Sequence, residues 1–379
     1  MADYKKFSFP LNVYTHILYK DYVSVEYLHY GFFSDGCRDI KKAQKRASDF
    51  LFSQLPPSPC RVLEVGIGVG TTLFNLQQLG YDVVGITPDQ NQIDFVRNRY
   101  GEDLPVFCVS LEDFSNTNKF DLILFQESAQ YINVDILFRQ AMSMLREQGH
   151  LIILDEMILV EDLTFELGLT RQSDYIGSGY QLGFSLKNEV DLSAQVLPTN
   201  DYILESVSSS KQDLIDKLSL TDEDIDGLIS ATKVHQENYK KGLIGYCFLR
   251  FQKEEFNAKN FDKVLAYRDF EKELLNLFEL SFGHRMPVEL WRWKYQGLDV
   301  LGTLLKNKSV PVAFFGGMPR TVYFFGVAQL VVQIGDVMVD PRARRSLLRK
   351  GAFFQVASFF LECFVGKDKK YSVAFGFPS

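Results

Sequence analysis

Three glycines at alternate positions, Gly66, Gly68 and Gly70, follow a short apolar run that ends in Glu64-Val65 and precede a helix-forming stretch. Such a trio is a nucleotide-binding turn, because glycine takes its side chain out of the way where backbone N–H groups approach a ligand and accepts positive φ. The dinucleotide spacing G-x-G-x-x-G needs its third glycine at position 71, which is Thr71. The five cysteines (Cys37, Cys60, Cys108, Cys247, Cys363) are odd in number and scattered, so neither a disulfide framework nor a metal site is expected.

The elements that position this turn alternate. Strands are expected over 61–65, 82–86, 106–109, 122–125 and 151–154, with helices over 72–79, 90–99 and 134–145 between them. This βαβα rhythm of strongly apolar strands predicts an α/β fold, a Rossmann-like parallel sheet with helices on both faces. Residues 1–50 read as helical and aromatic-rich. Residues 155–245 are mixed, with a Gly/Ser/Tyr-rich stretch at 173–183 and a helix start at Thr221, a capping residue followed by Asp222–Asp224. Ile244–Phe251 reads as a late strand of the same sheet.

Composition sets the limits. At 379 residues with 46% hydrophobic and 23% charged content, the chain is globular and long enough for two domains. Residues 263–379 hold 17 Lys+Arg against 10 Asp+Glu, whereas 1–262 hold 24 against 38. The change of sign marks a boundary: a first domain over 1–252, a polar linker over 253–262 and a second domain over 263–379. The acidic first part argues against nucleic-acid partners, which need Lys and Arg for phosphate. No apolar leader or membrane-length run is present, and the expected setting is reduced and cytoplasmic.

The strand-turn RVLEVGIGVG, followed by Val84-Gly85-Ile86-Thr87-Pro88-Asp89-Gln90-Asn91-Gln92, resembles the class I S-adenosylmethionine-dependent methyltransferases. Within them it is similar to the branch of cyclopropane-fatty-acid synthases and sarcosine and sterol methyltransferases. The matching stretch is about 22–155. The resemblance implies S-adenosyl-L-methionine as cofactor, held at Glu64, Gly66, Gly68 and Gly70, with Thr87 and Gln92 on the ribose diol in place of the usual acidic residue. A helix-capping role is the alternative for Thr87. Leu111 would cover the adenine and Glu112 accept from its amine; the branch's usual aromatic is absent there. Tyr27-Leu28-His29-Tyr30-Gly31 with Gln44 resembles the cover over the methionine moiety, placing Tyr27 and Tyr30 at the cofactor. The loop Gln126-Glu127-Ser128-Ala129-Gln130-Tyr131 would face the methyl group at the carboxyl edge of the fourth strand.

A sulfonium donor is already activated, so the protein must align a nucleophile, exclude water and accept a proton. The resemblance brings His29, Glu127 and Tyr131 near the methyl group as candidate bases. His29 is alternatively a packed, hydrogen-bonded histidine. Glu127 could instead bind a cationic group of the substrate or cap a helix, and Tyr131 could be wall. Cyclopropane synthases carry a Glu-His pair where this chain has Gln130 and Tyr131, which favours transfer to N, O or an acidic carbon of a small molecule. His150, in a turn before a strand, reads as surface.

Residues 263–379 resemble the amino-terminal part of a GNAT-type N-acyltransferase, an α+β domain. The features are an amphipathic helix over 270–282, the segment Trp291-Arg292-Trp293-Lys294-Tyr295, strands over 310–316 and 322–327, and Val332–Pro341 before a basic loop. That loop, 342–351, would meet the diphosphate of acetyl-CoA or another acyl-CoA, with a helix from Ala352 and a strand over 371–377. The family continues through another helix and two strands, so the domain is expected to be incomplete, completed by a partner chain or serving a homodimer contact. The leading expectation is methyl transfer in specialised biosynthesis. The alternatives are acyl-CoA-dependent N-acyl transfer and a non-catalytic cofactor-binding scaffold.

Overall fold

The computed structural model describes residues 4–34, 36–161, 168–255, 261–282, 284–308, 310–344 and 351–376. They fall into two compact units, Met1–Glu254 and Glu255–Ser379.

The first unit is built on seven strands: β1 (Arg61–Val65), β2 (Asp82–Thr87), β3 (Val106–Cys108), β4 (Phe120–Gln126), β5 (Leu145–Ile158), β6 (Phe184–Asp191) and β7 (Ile244–Lys253). Their order across the sheet is β3-β2-β1-β4-β5-β7-β6. β1 pairs in parallel with both β2 and β4, the β2–β3 and β4–β5 pairs are also parallel, and β7 runs antiparallel between β5 and β6. Val62 and Leu63 of β1 and Leu122 through Phe125 of β4 are wholly inaccessible. Consecutive residues point to opposite faces, so both faces of the central strands are covered, as parallel strands require. The strand order reverses between β1 and β4, and that switch point opens a crevice beyond their carboxyl ends.

Around this sheet the structure differs from expectation in three places. β5 begins at Leu145, so His150 lies inside a strand, opposite Leu122 and Gln252, with Arg250 hydrogen-bonded to its ring; it is not a surface turn residue. The Gly/Ser/Tyr-rich stretch is the helix Gln172–Gln181, whose Gly179 lets Phe251 and Phe138 approach where a Cβ would sit 2.9–3.1 Å from them. β6 is a strand with only its first residue buried, so its sequence carries little apolar signal.

Helix Leu11–Tyr22 packs with Pro198–Ser209, Lys211–Leu218 and Asp222–Lys240 around Val13, Ile17, Ile203, Val207, Leu214, Ile225 and Leu228. His16 ties the ends of this group together, meeting Asp213 at 2.8 Å and Tyr4 at 3.1 Å. The last helix starts on a capping box between Thr221 and Asp224, as the sequence indicates.

The second unit has a five-stranded sheet, β8 (Asp262–Tyr267), β9 (Val300–Asn307), β10 (Val310–Phe324), β11 (Val327–Val339) and β12 (Ala374–Phe375), in the order β12-β11-β10-β9-β8. β8 to β11 are antiparallel neighbours and β12 is parallel to β11. Helices Glu271–Phe282 and Val288–Lys294 precede β9, and Ala352–Phe364 lies between β11 and β12. The residues expected as a separate strand over 322–327 are the end of β10, a turn at Phe325-Gly326 with positive φ at both, and the start of β11. The expected strand over 371–377 is reduced to Ala374–Phe375, and residue 377 lies outside the described residues. The polar segment 253–262 is bounded by the end of β7 and the start of β8. Among the described residues no helix is long and apolar enough to cross a membrane.

Candidate functional site

The turn after β1 adopts φ of +81° at Gly66, +51° at Gly68 and +75° at Gly70. The three glycines are needed for different reasons. A Cβ at Gly66 would lie 2.4 Å from the Ser128 Cβ, and one at Gly70 2.7 Å from Val96 Cγ2, so both permit the chain to pack on itself. Gly68 has only Leu28 Cδ1 near, at 3.8 Å, and its missing side chain leaves space free. Gly66 and Gly68 border a cavity of about 700 Å³, whereas Gly70 does not; it begins the helix Thr71–Gln78 and seats it on the helix Gln90–Tyr100. Gly70 therefore packs against Val96 and does not line the cavity.

The other residues expected at a cofactor gather on this cavity: Tyr27 and Tyr30, Glu64 and Gln126, Thr87 and Gln92, Leu111 and Glu112. Their positions follow from the sheet. Glu64 and Gln126 lie at the carboxyl ends of neighbouring strands, and Thr87 ends β2. Glu64 is 2% exposed and its Oε2 has no hydrogen-bond partner; burial pushes its carboxyl up to about 8. Gln126 accepts from the Thr72 hydroxyl at 3.1 Å through Oε1, while its buried Nε2 has no partner. Thr87 Oγ1 donates to Gln92 Oε1 at 2.9 Å and accepts from the Asp89 N–H at 3.3 Å. The helix cap proper is Asp89, which accepts from Asn91 N. Leu111 is buried and Glu112 exposed at the far wall. Gln44, inside helix Ile40–Ser53, donates to the carbonyls of Tyr27 and His29 at 3.2 and 2.8 Å and fixes the segment that covers the cavity.

The three candidate bases separate on geometry. His29 is 7% exposed, with Nδ1 on the Tyr30 carbonyl at 2.8 Å and Nε2 on Ser48 Oγ at 3.0 Å. Burial lowers its pKa to about 4. With both nitrogens engaged it holds the covering segment and is not placed to take a proton. Tyr131 is 82% exposed and stands at the rim. Glu127 is central. It follows β4 at φ +55°, a left-handed conformation rare for glutamate, and its Oε1 accepts from the Tyr30 N–H and the Tyr246 hydroxyl, each at 2.7 Å. Burial raises its pKa to about 8, against the two hydrogen bonds.

Residues 63–153 match the family model described as a methyltransferase domain. A curated relative, the ubiquinone biosynthesis O-methyltransferase of Bradyrhizobium diazoefficiens, is 25% identical over 97 residues, which is 24% of this chain and 38% of the relative. The chain thus spans well under half of that relative's length. Among solved structures, a sarcosine dimethylglycine methyltransferase from Galdieria sulphuraria aligns with a TM-score of 0.56 at 16% identity, covering 64% of this chain and 97% of the other. A cyclopropane synthase from Mycobacterium tuberculosis aligns at 0.54 and 18%, covering 59% and 89%. These likenesses concern the fold. Within the first unit, the stretch 63–153 is similar to a methyltransferase domain.

Beyond the residues read from sequence, the first unit brings several others to the cavity or its supports. Glu156 is 8% exposed and lines it; its Oε1 receives Tyr239 OH at 2.6 Å and lies 2.7 Å from His235 Nε2. Asp155 is fully buried and supports the Gln126–Tyr131 loop by accepting from Gln130 N at 3.1 Å; burial raises its carboxyl to about 7. The pair Asp155-Glu156 inside the run LIILDEMILV was the available signal, since acids in an apolar strand are costly unless partnered. Tyr246 sits in the same way within IGYCFLRF. Tyr14, Ile17 and Ile203 come from the helices packed beside the sheet, and nothing local in sequence links them to the turn.

In the second unit, two arginines of the basic loop bond to their own protein. Arg342 pairs with Asp340 at 2.6 Å, and Arg344 donates to the Val339 carbonyl at 2.9 Å. Residues 345–350 of that loop lie outside the described residues.

Proposed function

We propose that this chain transfers the methyl group of S-adenosyl-L-methionine to a small-molecule acceptor. The observation that carries the reading is a pair of buried polar atoms without protein partners, Glu64 Oε2 and Gln126 Nε2, at the ends of adjacent strands beside one cavity. Leaving a buried donor and a buried acceptor unmet costs about 1–3 kcal/mol each, and a ligand bearing polar groups of both kinds would satisfy them. Bound there, the cofactor supplies an electrophilic methyl group on a positively charged sulfur.

Thr87 and Gln92 offer uncharged partners for a sugar diol, Leu111 and Glu112 a wall and an acceptor for a purine, and Tyr27 and Tyr30 a cover. Gly68 leaves the backbone bare where the ligand would approach. On the other side, Glu127 is the group suited to receive a proton from N, O or an acidic carbon, because its raised pKa lies near neutrality. Among the described residues the cavity lining holds no Lys or Arg, which suits a cationic donor and argues against a nucleic-acid substrate. Calorimetry with S-adenosylhomocysteine tests the assignment: binding in the micromolar range supports it. Absence of heat with that compound, while NADH binds, refutes it.

For the second unit, the order strand, two helices, three antiparallel strands, helix, parallel strand supports the acyltransferase-like resemblance. Protection of the second unit from thermal unfolding by coenzyme A would support acyl-CoA binding, and its absence would count against it.

A further inference from the structure

We infer that the far half of the cavity is a subsite for an organic ammonium ion with an apolar body, which makes a small amphiphilic amine the acceptor; this rests on the methyl-transfer reading above. Six carboxylates line the cavity, Glu26, Glu64, Asp89, Glu112, Glu127 and Glu156, and no Lys or Arg does so among the described residues. An anionic acceptor would lose its water there and meet no counter-charge, a penalty of several kcal/mol.

Two of the six, Glu127 just after β4 and Glu156 on the neighbouring β5, are held by the protein's own donors. Both protein donors to Glu127 fall on Oε1. Glu127 lines the cavity, and with both donors on one oxygen its second oxygen is left for a ligand. Glu156 stands on β5 and is fixed by Tyr239 and His235. Around them are aromatic faces: Tyr30 stacks on Tyr246 at 5.7 Å and 15°, and Tyr14 lines the same space. Carboxylate oxygens together with tyrosine rings are the surroundings an ammonium ion takes up, through charge-assisted hydrogen bonds and the negative ring face. The wall also carries the apolar side chains of Phe9, Leu11, Ile17, Leu18 and Ile203, which fit a hydrocarbon or ring attached to the nitrogen.

The same groups manage the proton. A bound ammonium gives one proton to Glu127; its freed lone pair forms the N–C bond as the C–S bond breaks. The pair of the broken C–S bond stays on sulfur, and the methylated nitrogen carries the positive charge. The proton then leaves the site, so one proton is released per turnover. Glu156 and His235 provide a hydrogen-bonded pair from the cavity toward solvent, His235 being 28% exposed.

The test is calorimetric, on the full chain without methyl donor, with three probes of one shape: hexylamine, 1-hexanol and hexanoate. Hexylamine should bind about tenfold or more tighter than 1-hexanol, the scale of one charge-assisted hydrogen bond, and hexanoate should be weakest. Glu127→Gln and Glu156→Gln, each checked for folding by circular dichroism, should shrink the amine–alcohol gap and leave 1-hexanol binding unchanged. Equal or tighter binding of 1-hexanol or hexanoate overturns the inference. So does an amine preference that survives both substitutions, or no heat from hexylamine up to about 10 mM. S-adenosylhomocysteine is titrated into the same preparation. If it binds while the amine shows no preference, the subsite fails and the donor reading stands; if only the amine binds, the donor reading fails.

Discussion

Glu64→Gln should stabilise the ligand-free first unit at neutral pH while weakening its affinity for the cofactor. Glu64 is 2% exposed, has an unpartnered Oε2, and titrates near pH 8 instead of at its ordinary 4.5. Between those values the folded chain keeps a proton that the unfolded chain releases, so the folded state loses about 1.4 kcal/mol per pH unit. The sign follows from the raised carboxyl: its contribution is intact below pH 4.5 and is lost as pH rises toward 8. At pH 7 the loss is about 3 kcal/mol, and glutamine, which cannot ionise, does not incur it. Urea unfolding of wild type and variant should therefore give nearly equal stabilities at pH 4.5 to 5. At pH 7 the variant should lead by about 3 kcal/mol, or roughly 6–12 °C in Tm for a unit of this size. Calorimetry on the same samples should show S-adenosylhomocysteine bound about 10–100-fold more weakly by the variant, the value of a hydrogen bond to a charged group. Parallel stability curves at both pH values, or unchanged affinity, would refute the reasoning.

Other outcomes follow from the same geometry. Gly66→Ala places a Cβ 2.4 Å from Ser128 at φ +81° and should cost about 3–5 kcal/mol in urea unfolding. Gly68→Ala, with its nearest neighbour at 3.8 Å, should cost only about 1–2 kcal/mol yet weaken cofactor binding in calorimetry. His29 titrates near pH 4 because it is buried, a depressed base whose contribution is intact above 6.5 and lost as pH falls to 4. His29→Gln lacks that acid limb, so its stability deficit relative to wild type should shrink by about 2–3 kcal/mol between pH 7 and 4.5. Trp291→Ala empties the core of the second unit, where Trp291 is 2% exposed against Tyr295 and Phe314, and should lower that unit's thermal transition by about 3–5 kcal/mol of stability.

The central strands were legible because parallel strands covered on both faces need unbroken apolar runs, which is what 61–65 and 122–125 show. The glycine turn was legible in spacing but not in division of labour. Only the fold reveals that Gly70 serves Val96 and that Gly66 serves Ser128. Thr87 and Gln92, five residues apart, meet directly. Illegible features depend on long-range packing. His29 looks like a base in sequence, yet Ser48, on a helix nineteen residues later, occupies its second nitrogen. The joining of Ile17 to Ile203 across the chain fixes the apolar wall, and no window of sequence contains both. In the second unit, residues 322–327 read as a strand since valine and aromatics favour one, but Phe325-Gly326 takes the positive φ of a hairpin turn.

The cavity's chemistry is set by what the fold tolerates at a cost. Glu64, Glu127 and Asp155 all titrate well above their ordinary values through burial, so at pH 7 each makes the ligand-free unit less stable than a neutral residue of its shape would. Scaffolds of this kind differ in what they act on, and the shared sheet is silent on the acceptor. The strand-end carboxylates are not silent. A positively charged ligand lowers their pKa values toward the ordinary range, and the stability withheld in the free chain reappears as binding free energy. Two cationic partners, one at Glu64 and one at Glu127, would therefore each raise the melting temperature. With one cation at each carboxylate, the first partner bound should weaken the second only through residual charge repulsion across the cavity. A neutral acceptor would show no such antagonism, which is why the pairwise thermal shift of amine with cofactor, against amine with the uncharged-sulfur product, distinguishes a charge-selected acceptor from one selected by shape alone.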